Sequence, residues 1–148
     1  MDFDINVRER ILKPAHVVFD AFVDPAKMSN YFISWASGPM RIGKVVWEFG
    51  DVGAKVEIDV VEFEQDRKLV WESNGLGQPT RTVVEFAPDG EDATVVTVAE
   101  GKYALTNDGV KLALGQNAGW TYTLCGLKAY VQFGINLRTG FNKCLTEV

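Results

Sequence analysis

Glu9 and Glu48 are the two carboxylates that interrupt locally apolar stretches. Glu9 falls in phase with Phe3, Ile5 and Val7, and Glu48 lies between Trp47 and Phe49. Two carboxyl groups held in different surroundings can act as acid and base, so this pair, with the Tyr103 phenol, makes the candidate proton-transfer set. Continuing the alternation of the first strand carries Glu9 onto the apolar face before Ile11. The strand therefore either bulges there and leaves Glu9 at a solvated rim, or points a carboxylate inward. The remaining carboxylates are read as a solubilising face at alternating strand positions. His16, the one histidine, sits on the polar side of a short helix with no nucleophile or metal partner nearby in sequence. Cys125 lies about 140° around the helix from Trp120, away from the apolar stripe, and with Cys144 is read as a free thiol. Gly75-Leu76-Gly77 sits between two strands rather than before a helix, which argues against a phosphate loop. No catalytic residue, metal site or cofactor is assigned.

The aromatic residues point to binding instead. Trp35, Trp47, Trp71, Tyr103 and Trp120 come from five separate segments that one fold can bring around a common space. Large rings with an N–H or O–H handle suit a pocket that holds a flat or elongated apolar molecule and orients it by a few hydrogen bonds. The expected lining is Trp47 and Trp71 from strands, Phe32 and Trp35 from an entrance segment, and Gln116, Trp120 and Leu124 from a helix. Gln116 and Tyr103 are the candidate polar anchors.

Those residues need elements to position them. From Asn107 to Gly134 the spacing predicts one long amphipathic helix, with Ala113, Asn117, Trp120, Leu124, Leu127 and Val131 within about 60° of one another as its inward stripe. Gln116, Thr123 and Tyr130 flank the stripe, a mixture better suited to a cavity wall than to a uniformly packed core. Tyr122, Cys125, Ala129 and Phe133 form an outer face apolar enough for a homodimer contact. Upstream, an alternating strand precedes a short helix opened by Pro14 and closed at Asp24-Pro25, and a second short helix covers Ala26 to Tyr31. Alternation then recurs to about residue 101, with a bulge expected where the phase slips at Val61 and Phe63. Strands that follow one another without intervening helices make an antiparallel sheet, six or seven strands in all. Such a sheet hides its apolar face and the helix's stripe by curling around the helix. The predicted class is α+β, one domain over residues 1–148 with a loosely ordered tail from about 141.

Composition narrows the partners. A net charge of −5 with scattered basic residues disfavours nucleic acid and anionic lipid. No apolar run approaches the roughly 20 residues of a membrane span. The start of the chain lacks a secretory pattern, which predicts a cytoplasmic protein.

Pro14-Ala15 followed by Val18-Phe19-Asp20-Ala21-Phe22-Val23-Asp24-Pro25, the Leu69-Val70-Trp71 strand, and Gly119-Trp120 with Leu124 and Leu127-Lys128 resemble the START-like superfamily. Within it the likeness is to the subgroup similar to the C-terminal domain of the activator of heat-shock protein 90 ATPase, over nearly the whole chain. The resemblance implies a helix-grip fold with an elongated apolar cavity between a curved sheet and the C-terminal helix. It also implies a range of functions: binders of lipids, sterols and hormones, polyketide cyclases and aromatases, iron-holding hydroxylase subunits, and the co-chaperone. One histidine cannot furnish the iron ligands, so that branch is set aside. The leading expectation is a non-catalytic binder of a small hydrophobic molecule. The alternatives are a cyclase-like enzyme using the same cavity and a co-chaperone-like or stress-response protein acting through its surface.

Overall fold

Period-two alternation in seven segments resolves into one antiparallel sheet in the computed structural model, which describes residues 1–140. The chain runs β1 (Asp2–Ile11), α1 (Ala15–Val23), α2 (Pro25–Met28), β2 (Trp35–Ala36), β3 (Gly43–Phe49), β4 (Ala54–Glu64), β5 (Lys68–Ser73), β6 (Thr80–Pro88), β7 (Thr94–Ala104) and α3 (Asn107–Phe133). The strands lie in the order β1-β7-β6-β5-β4-β3-β2, so each hairpin neighbour in sequence from β2 to β7 is a neighbour in space. Only β1 is brought in from far away, onto the free side of β7. The curved sheet grips α3 as an α+β helix-grip fold. The expectations for the tail and for Cys144 lie outside the described residues.

Two bulges set which side chains face α3. One lies where β4 slips against β5 between Val60 and Glu62, as the phase change at Val61 predicts. The other falls between Phe3 and Ile5 of β1, which pair with Tyr103 and Glu100. Two steps along β1 thus match three along β7. The extra residue on β7 lets Glu100 and Tyr103, at an odd spacing, both turn to the interior. At Glu9 the strand does not bulge: it pairs in register with Val96.

The long helix starts and stops on local chemistry. The Thr106 side chain accepts from the Gly109 amide, satisfying one of the free first-turn donors, and Gly134 closes the helix at φ 69° in the left-handed region. Its buried residues are Gly109, Ala113, Trp120, Thr123, Leu124, Gly126 and Leu127. Asn117, expected in the inward stripe, is exposed, because the side of α3 that meets the sheet is centred on the Trp120–Thr123 flank. The α2 helix is shorter than the expected Ala26–Tyr31 segment. Asp24 caps its start by accepting from the Ala26 amide, and Asn30 donates to the Ala26 carbonyl at 2.9 Å, so that a side chain takes an acceptor at the helix end.

At the α1 end the interior is solid. Phe19 meets Phe63 and Phe86 edge to face, with ring centroids 5.4 and 5.1 Å apart, and Phe22 packs among Tyr31, Trp71, Phe86 and Trp120. Burying rings of this size supplies about 25 cal/mol per Å² of apolar area removed from water, the main drive holding α1 and α3 to the sheet. Toward the β3–β4 hairpin the packing opens.

Candidate functional site

That opening is a cavity of about 410 Å³ between the sheet and α3. Strand alternation supplies its sheet wall: Trp47 and Phe49 from β3, Val56 and Ile58 from β4, Trp71 from β5, Thr82 from β6 and Glu100 from β7. The helix wall is Gln116, Gly119, Trp120 and Thr123, and Phe32 reaches in from the segment after α2. The rings form a continuous surface. Phe32 lies 5.2 Å from Trp47 and 5.4 Å from Trp120, and Trp71 lies 5.3 Å from Trp47 and 6.1 Å from Trp120. Trp47 Nε1 is buried without a hydrogen-bond partner among the described residues.

One carboxylate is set into this apolar wall. Glu100 is 5% exposed, and four side chains converge on its two oxygens. Oε2 accepts from Thr82 Oγ1 at 2.8 Å and Trp120 Nε1 at 3.0 Å, while Oε1 accepts from the Tyr103 hydroxyl at 2.5 Å and Gln116 Nε2 at 3.0 Å. These donors match the roughly four lone-pair sites of a carboxylate anion. Every one of the four is uncharged, and none of the ion pairs among the described residues includes Glu100. Burial, and then the bond to Glu100, hold the Tyr103 phenol far above the ordinary tyrosine value, so Tyr103 is a fixed donor.

The mouth is framed by charges that are already paired. Arg138, beyond the end of α3, bridges to Asp51 in the β3–β4 turn, with both side chains largely buried, and its guanidinium lies 5.6 Å over the Tyr122 ring. Tyr122 in turn donates to the Leu137 carbonyl at 2.9 Å. The segment after the helix is thereby drawn across the opening. Lys55, also at the mouth, pairs with Glu48 at 3.5 Å.

Five of the expected lining residues meet at this cavity: Phe32, Trp47, Trp71, Gln116 and Trp120. Three do not. Trp35 is 49% exposed, because it pairs with Glu48 and so shares the outer face of the sheet, while Ala36 beside it pairs with the inward Trp47. Tyr103 is wholly buried behind Glu100, and Leu124 is 1% exposed in the packed part of the α3 interface. The proton-transfer candidates separate as well. Glu48 is half-exposed on the outer face beside Lys55, and Glu9 meets Lys128 of α3 at 3.2 Å, on the helix side but away from the cavity lining. On the outer helix face, Cys125 and Phe133 are exposed and Ala129 is half-buried, whereas Tyr122 turns to the mouth.

Glu100 is the residue that sequence reasoning passed over. The signal was present, because Thr94, Val96 and Val98 alternate inward and two further steps reach Glu100. Its Tyr103 partner required the bulge, which alternation alone does not reveal.

A family model described as Activator of Hsp90 ATPase homolog 1-like protein matches residues 13–132. The chain belongs to this family. Domains of similar fold recur among solved structures. Protein SSP2350 from Staphylococcus saprophyticus is 27% identical, with a TM-score of 0.80 over 92% of this chain and 96% of its own. DynU16, a protein of the dynemicin biosynthetic locus, is 24% identical with a TM-score of 0.80, covering 92% of this chain and 49% of its own. The Aha1 dimer from Colwellia psychrerythraea is 18% identical with a TM-score of 0.77, covering 89% and 98%. At the last two identities the likeness speaks for the fold. No curated protein matches the chain. Among the described residues no helix is long and apolar enough to cross a membrane.

Proposed function

We propose that this activator-like domain binds a small, flat, largely apolar molecule in the cavity between sheet and α3, without transforming it. The observation that carries this reading is the ring-lined space of about 410 Å³ with its polar groups gathered around Glu100 and Gln116. Ligand sites in general combine apolar walls with a few convergent polar groups, at volumes of about 300–1,000 Å³. Glu100 has its acceptor sites occupied by protein donors, an arrangement that disfavours its taking a proton from a ligand.

Titration with an environment-sensitive apolar dye and a panel of fatty-acid-sized ligands tests the proposal. Saturable uptake is expected at micromolar affinity, about −8 kcal/mol. Val56→Trp, which fills the cavity from β4, should weaken it at least about tenfold, equivalent to roughly 1.4 kcal/mol, and Lys111→Ala on the exposed side of α3 should not change it. A panel without one saturable ligand and with unmoved tryptophan fluorescence rejects the reading.

A second reading is favoured by the carboxylate inside the cavity, and by likeness to a protein of a biosynthetic locus. In it Glu100 replaces Glu9 and Glu48 as the acid–base group of a cyclase-like reaction, with the Gln116 bond opening to free Oε1. Conversion of a bound ligand that stops in Glu100→Gln while binding persists would establish it, since loss of turnover alone marks a transition-state role.

A further inference from the structure

Resting on the cavity reading above, we propose that the cavity selects a cation: a protonated amine on a flat aromatic or polycyclic body, its ammonium placed at the Gln116 amide oxygen, close to Glu100 and against the faces of the tryptophans. A carboxylate removed from water ordinarily keeps a cationic partner, because an isolated buried charge is costly. Glu100 has four neutral donors and no Lys, Arg or His in an ion pair among the described residues. The nearest cations of the cavity lining, Lys55 and Arg138, are at the mouth and are held by Glu48 and Asp51. Among the described residues no cation is paired with this carboxylate, so the cavity wall at Glu100 is negative and a cationic ligand would balance it.

The walls agree with that sign. Ring faces carry negative quadrupole charge, and a cation within about 6 Å of a ring centroid is attracted to them, most strongly to tryptophan. Trp71 and Trp120 are 6.1 Å apart, Trp47 is 5.3 Å from Trp71, and Trp120 itself donates to Glu100, so carboxylate and rings occupy one place. Gln116 completes the receptor. Its amide nitrogen is committed to Glu100 Oε1, which leaves its amide oxygen, part-buried at the lining and without a partner among the described residues, to accept from an ammonium N–H. The Glu100 donor set stays intact in this arrangement, and its charge acts through space across the amide in surroundings of low dielectric.

Three naphthalene probes of nearly equal size separate the outcomes: 1-naphthylmethylamine as cation, 1-naphthylmethanol as neutral isostere and 1-naphthoic acid as anion, each titrated at pH 7 by calorimetry and tryptophan fluorescence. The expected order is amine over alcohol by about tenfold or more, the scale of a desolvated cation–aromatic contact, with the acid not binding. Glu100→Gln should bring the amine-to-alcohol ratio close to one while the alcohol's affinity changes little. Gln116→Met should lower the ratio without disturbing the Tyr103 bond. Alcohol bound as tightly as amine by the wild-type protein overturns the charge selectivity and leaves the cavity reading standing. Preference for the amine that survives Glu100→Gln also overturns it. If none of the three probes binds while neutral lipids do, selectivity fails alone; if nothing binds at all, both readings fail. The wild-type ratio decides the matter even if Glu100→Gln does not fold.

Discussion

Trp120 takes part in two kinds of interaction that substitutions can separate. Its ring lies against Phe22, Phe32 and Trp71, and its Nε1 donates to Glu100 at 3.0 Å. Trp120→Ala removes both and should destabilise the domain by about 3 to 5 kcal/mol, the usual cost of deleting a large buried aromatic residue. Trp120→Phe keeps most of the packing but withdraws a donor from a buried carboxylate, for an expected loss of about 1 to 3 kcal/mol. Urea denaturation of the two variants checks the ordering. The buried phenols give a second prediction at this scale. Burial holds Tyr31 well above the ordinary tyrosine value, and burial with the Glu100 bond does the same for Tyr103. Below pH ~10 both folded and unfolded chains keep these protons; above it the unfolded chain releases them while the folded chain does not. Stability is thus full below that pH and falls as pH climbs past it. Ultraviolet titration should show Tyr31 and Tyr103 resisting ionisation until the protein unfolds.

Glycines in α3 distinguish contact with the sheet from exposure. A Cβ on Gly109 would lie 1.9 Å from the Ala104 carbonyl oxygen, a backbone atom that cannot swing aside, so α3 packs against the end of β7 only with glycine there. Gly109→Ala should force the first turn off β7 and cost about 1 to 3 kcal/mol, as overpacking does. Gly115 has open space around its absent side chain. Gly115→Ala should stabilise by up to ~1 kcal/mol, since alanine loses less chain entropy in a helix. Thermal melts that rank Gly115→Ala above wild type and Gly109→Ala below it would support this geometry. Equal shifts would mean that α3 does not meet β7 as described. The helix's limits, expected at Asn107 and Gly134, were legible locally, because the Thr106 cap and the left-handed Gly134 act among near neighbours in sequence.

For the molecule as a whole, a ligand that fills the cavity binds only the gripped state of sheet and helix. Saturation at one hundred times Kd should raise stability by about 2.7 kcal/mol, and Val56→Trp should lose that gain because its ring occupies the same space. A melting temperature independent of ligand concentration would contradict the coupling. The architecture follows from alternation and amphipathic spacing, which are periodic and local: the order of elements, the α3 span and the slip at Val61 all follow from residue types a few positions apart. Alternation also placed Trp47 with Val45 and Phe49 on the face that became the cavity wall. What it did not decide was where the interior is packed and where it is open. Leu124 and Trp120 share one helical stripe, yet Leu124 is sealed in the interface and Trp120 borders the space, a difference set by what stands opposite. Trp35 shares the aromatic chemistry of the other tryptophans, but its pairing with Glu48 turns it to the outer face, a register that the sequence of so short a strand does not fix. Glu9 stood out in the sequence for breaking a pattern, and the helix supplied Lys128 to meet it. Glu100 looked like one more strand carboxylate. Only the β1–β7 bulge and the arrival of α3 gave it Tyr103, Gln116 and Trp120, because converging donors come from segments whose separation along the chain says nothing of their distance in space.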